Sequence, residues 1–320
     1  MANVLFKERK EYILGIGAAN MDIYGKSLLP LKVHYDHPSL IRSSIGGVMY
    51  NIICNYIRSG VDAKLMTAVG DDSFGQSILR ACESSKIDIS DVLQVSNASS
   101  GIFMQVQDEN NDMYLALCDM SVLEQLSPEY MEAKKETVQN AALVVMDPSL
   151  RIDSIKKIIE LCDKKVPIYM DPISDHYALK IRDYLPYFEC IKPNLTELEN
   201  LTGRKIHSLE EVAASAQSLI DQGLKKILVS LGKEGILYID QKQILHKKLK
   251  EEKNIINASG AGDALMAGLL YGQMQGLRIE ETLDLALAAG IGALCSEGTV
   301  NEQMSLDLLK EIIEESRNEL

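Results

Sequence analysis

The chain has 320 residues, 46% of them hydrophobic and 25% charged, with a formal net charge of −13. That length suits one large α/β domain, or one domain with a small appendage, and the acidity argues against the basic face that nucleic-acid phosphates demand. The cysteines form no C-x-x-C pair, the histidines show no metal-ligand spacing, and no apolar run nears the roughly 18 residues of a membrane helix. The charged Met1–Lys10 has no signal-peptide core behind it, so a soluble cytoplasmic protein with no membrane or nucleic-acid partner is expected.

Tyr12–Gly17 reads as a first strand, and Asn51–Ser59 as a helix with Ile52, Ile53, Tyr56 and Ile57 on one face. Ala63–Val69 is a strand and Phe74–Ser84 a helix, joined through Val69–Gly75, a loop that reads as an N-cap. Gly101–Gln107 and Met113–Cys118 flank the polar turn Asp108–Asp112 as a hairpin. Strands follow at Ala142–Met146, Pro167–Met170 and Lys226–Leu231, and helices at Ile152–Leu161 and Leu209–Gln222. The last third is helical over Asp263–Gln275, Ile279–Ala293 and Leu306–Ser316. Such alternation predicts parallel β-α-β units with helices on both sheet faces. Gly25–Ser44 breaks it, with no helical period and with Pro30 and Pro38. Together with the hairpin it predicts a small β lid over residues 24–45 and 99–120, beside a core of 1–23, 46–98 and 121–320.

The most informative run is Asn257–Ala264, in which Gly260 and Gly262 flank Ala261 and Asp263 follows before an apolar helix. Its glycines let backbone N–H groups approach a ligand, the opening helix favours an anion, and Asp263 stands beside it as a base. That is the apparatus of phosphoryl transfer to a hydroxyl. Asn20 and Asp22 follow the first strand, where they either grip neighbouring sugar hydroxyls or simply make a turn. Gly46 and Gly47 precede Asn51 at a helix start and allow close backbone approach. Asn194 and Glu197 share the first turn of a helix, where they can hold the water shell of Mg²⁺ or form a capping box. Ser230–Gly235 lies beneath a nucleotide, turns a hairpin into Ile236–Ile239, or does both. No G-x-x-x-x-G-K-[ST] loop and no G-x-S-x-G elbow occurs.

Taken in order, Gly17–Asp22, Gly46-Gly47 with Asn51, Asn194 with Glu197, Ser230–Gly232 and Gly260–Asp263 resemble the ribokinase, or PfkB, family of carbohydrate and nucleoside kinases. The resemblance implies a Rossmann-like three-layer α/β/α core with a β-sheet lid that also makes a homodimer contact. It implies ATP-dependent phosphorylation of a primary hydroxyl on a small nucleoside or sugar, with Mg²⁺. Carried over, Asp263 is the catalytic base and Gly260, Ala261 and Gly262 form the anion hole. Asn194 and Glu197 serve Mg²⁺ through water, and Asn194, Ser230, Gly232, Gly235 and Gly262 hold the nucleotide. Asn20, Asp22, Gly46, Gly47 and Asn51 hold the sugar. Ile16–Asp22, Gly46–Val48 with Asn51, and Leu117–Met120 are most similar to pseudouridine kinases within the family. That branch implies a nucleoside 5′-hydroxyl as acceptor, with Phe103 and Met120 of the lid facing the base. K⁺ near the anion hole is a further implied ion, although Asn257 stands where the family's sugar kinases carry Asp.

Overall fold

A computed structural model describes residues 12–249 and 255–318; the charged N-terminal segment discussed above lies outside them. The chain opens on β1 (Ile13–Ile16), buried on both faces. It then leaves that sheet to form β2 (Asn20–Ser27) and β3 (Ser39–Gly46), an antiparallel pair. α1 (Val48–Arg58) begins after Gly47, whose φ is 100° and whose Cβ would lie 2.5 Å from the Ala18 carbonyl oxygen. α1 packs on β1 so closely that a Cβ on Gly15 would sit 2.6 Å from Ile53.

The predicted strand over 63–69 divides at Thr67. β4 (Ala63–Met66) pairs with β1, whereas β5 (Ala68–Gly70) departs to pair with β6 (Leu93–Val95). Between β5 and β6, α2 (Ser73–Ser84) is capped by Asp72, which accepts from the Gly75 amide at 2.7 Å. β7 (Ile102–Gln107) and β8 (Met113–Asp119) form the hairpin and complete a four-stranded sheet of order β3-β2-β7-β8.

The chain then builds α3 (Pro128–Ala133), α4 (Lys135–Asn140), β9 (Leu143–Met146), α5 (Ile152–Cys162), β10 (Ile168–Met170), α6 (Asp175–Ile181) and β11 (Cys190–Ile191). α7 (Leu195–Thr202), α8 (Leu209–Asp221) and β12 (Lys226–Ser230) follow. α3, α4 and α6 span only six or seven residues, too few for a helical period to show in the sequence. β13 (Ile236–Asp240) and β14 (Ile244–Lys247) add antiparallel, so the eight-stranded sheet β14-β13-β12-β11-β10-β9-β1-β4 is mixed rather than wholly parallel.

α9 (Ala261–Gln275), α10 (Ile279–Leu294) and α11 (Leu306–Asn318) close the described chain. α9 and α10 meet almost backbone to backbone, since a Cβ on Gly268 would lie 2.7 Å from the Ala286 Cα. Leu14, Ile16, Val144 and Met146 belong to the core on the α5, α7 and α8 side of the large sheet. Ile13, Leu143, Val145 and Tyr169 belong to the core on the α1, α9 and α10 side. Three layers result, α/β/α, and the carboxyl ends of β1, β9, β10 and β11 converge on the start of α9.

Candidate active site

Asp263 lies in the first turn of α9, and Gly260 caps that helix with a φ of 81°. A Cβ on Gly260 would fall 2.0 Å from the Thr299 carbonyl oxygen, so only glycine fits. The first intrahelical bond runs from the Ala264 amide to Gly260 O, and no side chain caps the helix. The preceding N–H groups of Ala261, Gly262 and Asp263 are thus donors for an anion, reinforced by the helix dipole. Asn51 Nδ2 donates to Asp263 Oδ2 at 2.8 Å, and Thr299 Oγ1 donates to Asn51 Oδ1 at 3.1 Å. Asn51, expected against the sugar, holds the Asp263 carboxylate through one N–H while its amide oxygen accepts from Thr299, leaving a second N–H.

Behind the Asp263 turn stands a buried charge cluster. Lys192 Nζ lies 3.1 Å from Asp171 Oδ2, with side chains only 6% and 5% exposed. The ammonium fills the space beside Gly262, 3.2 Å from where a Cβ would stand. Asp171 Oδ1 accepts from the Ile173 amide at 3.1 Å, while its buried Oδ2 has no aligned hydrogen-bond donor. Ile173 has φ 65°, a left-handed conformation that a β-branched residue adopts only when its surroundings enforce it. Burial raises Asp263 to about 8, assisted by the negative charge of Asp171 and opposed by the Asn51 bond and Lys192. Burial and Asp171 also raise Glu197 to about 7. Burial works against the Lys192 charge, but Asp171, Glu197 and Asp263 outweigh it and raise its pKa.

Asn194 and Glu197 form a complete capping box on α7. Asn194 Oδ1 accepts from the Glu197 amide at 2.8 Å, and Glu197 Oε2 accepts from the Asn194 amide at 2.9 Å. One lone pair of the Asn194 oxygen is used in this box, and its NH₂ group remains a donor that suits phosphate oxygen. Asn194, Ser230 and Gly232 come together at the bridge Asn194↔Ser230 and line a cavity of about 450 Å³ with His207, Leu231 and His246. Gly235 is not at its wall. With φ 83° and a Cβ position 2.2 Å from the Lys247 carbonyl oxygen, it turns the β12–β13 hairpin.

On the other side, Asp22 and Phe103 are cross-strand partners on one face of the four-stranded sheet. Asn20 Nδ2 donates to Asp22 Oδ1 at 2.6 Å and the Tyr24 hydroxyl to Asp22 Oδ2 at 3.2 Å. Gly46 makes room for this carboxylate, since its Cβ would lie 2.1 Å from Asp22 Oδ2. Burial raises the Asp22 pKa. Met120 is turned into packing: its sulfur lies 2.9 Å from a Gly101 Cβ position, and the side chain rests on the main core.

Lys192, Asp171, Asp147 and Thr299 were not assigned a role from sequence. Asp147 accepts from the Ala18 amide at 2.8 Å and the Ser149 amide at 2.9 Å, fills the place of a Gly17 side chain, and is raised by burial to about 6. A usable signal was present, since Asp147-Pro148 and Asp171-Pro172 each follow an apolar strand at the sheet's carboxyl edge.

Residues 10–305 match the pfkB family carbohydrate kinase. Pseudouridine kinase of Escherichia coli (strain K12) is 31% identical over 305 residues, covering 95% of this chain and 97% of that one. Deoxyribokinase of Salmonella typhi is 28% identical over 255 residues, 78% of this chain and 81% of that one. The structure of Arabidopsis thaliana ribokinase complexed with ribose and ATP has the same fold, with a TM-score of 0.85 at 20% identity over 95% of this chain and 98% of that one.

Proposed function

Because this chain belongs to the PfkB family of carbohydrate kinases, we propose that it transfers the γ-phosphoryl group of ATP to the 5′-hydroxyl of pseudouridine. The products are pseudouridine 5′-phosphate and ADP. The observation that carries phosphoryl transfer is the Asp263 carboxylate, held by Asn51 beside three helix amides without intrahelical partners. Asp263 accepts the hydroxyl proton as that oxygen attacks, while the Ala261 and Gly262 amides and the Lys192 ammonium take up charge on the transferring group. Asn20 and Asp22 hold the ribose, and Asn194, Ser230 and Gly232 face the nucleotide along the cavity.

Mg²⁺ fits the donor set as a hydrated ion. Among the described residues no cluster of three or more His, Cys, Asp or Glu is arranged to chelate a metal, yet Glu197 feels the negative charge of Asp171, whose Oδ2 is paired with Lys192. These two carboxylates would hold the water shell, and the ion would supply positive charge to the phosphates. K⁺ would meet at Asn257 an amide that already makes two hydrogen bonds. Asn257 Oδ1 already accepts from the Ser259 amide at 3.0 Å and its NH₂ donates to Glu297 O at 2.9 Å, so no step is assigned to that ion.

The four-stranded sheet acts as the lid in this reading. Its outer face exposes Ile41, Met104 and Leu117 at 74%, 37% and 62%, which supports a homodimer formed through it. A cytoplasmic location belongs to the same reading; no helix among the described residues is long and apolar enough to cross a membrane.

Pseudouridine is favoured by the likeness to a pseudouridine kinase across 95% of the chain. The likeness to deoxyribokinase favours, as second reading, another sugar or nucleoside acceptor such as ribose, fructose, adenosine or uridine. The deciding experiment is an ATP-dependent phosphorylation panel over pseudouridine, uridine, adenosine, ribose and fructose. Pseudouridine carries a base N–H that uridine lacks, and should win in kcat/KM by roughly tenfold or more, a buried partner left unpaired costing about 1–3 kcal/mol. A preference for adenosine or a free sugar would end the substrate reading and leave the kinase reading standing.

A further inference from the structure

We propose that Asp147 is a positioning residue that fixes the β1–β2 turn, and with it Asn20 and Asp22, to the start of α1. That Asn20 and Asp22 grip the acceptor rests on the kinase reading above. Asp147 follows β9 at the carboxyl edge of the large sheet and is fully buried. Its Oδ2 accepts from the Ala18 amide at 2.8 Å, and its Oδ1 from the Ser149 amide at 2.9 Å and from the Ser149 hydroxyl. All three donors are uncharged, so burying a carboxylate among them costs more than burying a neutral side chain. A neutral side chain could not replace it, however. Both oxygens face N–H groups, and an amide offers only one acceptor.

Ala18 is where the chain passes from one sheet to the other. Gly17 N–H still bonds to Met66 O of β4 at 3.2 Å, and Asn20 already opens β2. Between them Ala18 is held at both polar atoms of its backbone. Its N–H goes to Asp147, and its carbonyl oxygen accepts from the Met49 and Tyr50 amides of α1 at 3.1 and 3.2 Å. Two residues after Ala18 stands Asn20, which donates to Asp22 Oδ1 at 2.6 Å. Next after Tyr50 stands Asn51, which donates to Asp263 at 2.8 Å. One residue thus registers the acceptor ligands against the helix that aims the base. The anchor is itself braced, since Lys180 Nζ of α6 donates to Pro148 O at 2.8 Å and to Leu150 O. There is no slack in the fit: a Cβ on Gly17 would fall 2.0 Å from Asp147 Oδ2.

Asp147→Asn keeps the volume and removes one acceptor. Its single oxygen stays with the two Ser149 donors, and its NH₂ then faces the Ala18 N–H, which breaks that link. Hydrogen exchange followed by mass spectrometry on the ligand-free protein should show peptides over 17–22 and 48–52 exchanging about five- to tenfold faster, with α10 peptides unchanged. With the acceptor that the phosphorylation panel selects, the acceptor KM should rise about tenfold while the KM for ATP stays within about twofold. A merely structural role would lower the active fraction, and hence kcat, and leave the acceptor KM alone. Gly17→Ala displaces the same oxygen from the other side and should give the same split, which keeps the test intact if Asp147→Asn fails to fold. Ser149→Ala removes one donor from Oδ1, spares the Ala18 link, and should leave the acceptor KM within about twofold. A protein inactive in every phosphorylation assay would defeat the kinase reading, whereas the exchange measurement needs no turnover and would still decide the link. Unchanged exchange over 17–22 and 48–52, an unchanged acceptor KM, or acceptor and ATP constants rising together would overturn the proposal.

Discussion

Asn51 donates to Asp263 at 2.8 Å across 212 positions of chain, from the first turn of α1 to the first turn of α9. Two helix starts, each preceded by a glycine of positive φ, are thereby fixed to each other at the proposed site of the reaction. The bond both charges and aims the proposed base, because it stabilises the ionised carboxylate that burial and Asp171 disfavour.

Asp263→Asn should reduce turnover by about 10²–10⁴-fold with nucleotide affinity nearly intact. Stability should move the other way with pH. The folded-state pKa of Asp263 is raised from 3.8 to about 8, so its favourable contribution is complete below about pH 4 and lost as pH rises through 8. Asn carries no such titration. The Tm difference between variant and parent should widen in the variant's favour from pH 4 to pH 9 by a few degrees, as scanning calorimetry can read. Retention of more than about a third of the turnover would remove Asp263 from the role of base.

Lys192→Met strips the ion pair from Asp171 and leaves a buried carboxylate uncompensated, at a cost of about 3–5 kcal/mol. Adding Asp171→Asn should restore most of the lost stability but not the activity, since the ammonium beside Gly262 is still missing. Denaturant titrations of the two variants check the first half, and steady-state rates the second. Full activity in the double variant would make the pair purely structural.

Glu197→Gln should raise the Mg²⁺ concentration needed for half-maximal rate by about tenfold, in line with loss of a carboxylate supporting a hydrated ion. The capping box survives in part, because glutamine can still accept from the Asn194 amide. A Mg²⁺ titration that superimposes on the parent's would confine Glu197 to capping.

Gly46→Ala drives a methyl group to 2.1 Å from Asp22 Oδ2. The Asp22 carboxylate must then leave its place, and the KM for the acceptor should rise about tenfold or more with the KM for ATP unchanged. Equal changes in both constants would point to a general disturbance of the cleft instead.

Most of the large sheet was legible in the sequence because its strands are short apolar runs between amphipathic helices: β1, β9, β10 and β12 fall where the pattern puts them. β13 follows the hairpin that Gly232 and Gly235 allowed beside a phosphate loop, whereas β14, which no pattern singled out, extends the sheet antiparallel. In the site, Gly260–Asp263 and Asn51 could be found from local patterns. Lys192 and Asp171 could not be paired, because their contact depends on β10 and β11 lying side by side, a fact of register rather than of local sequence.

The carboxyls at the cleft floor also make it a reservoir of protons. Asp263 near 8 and Glu197 near 7 share the neighbourhood of one ammonium, Lys192, so the ligand-free protein near neutrality holds protons that ordinary surface carboxylates would have shed. In the proposed reading, a divalent cation arriving with its nucleotide would expel some of them, since two kinds of positive charge would then compete for the same oxygens. The heat of nucleotide binding measured at one pH should therefore change with the ionisation enthalpy of the buffer, and acidification should weaken the metal–nucleotide complex more than the acceptor.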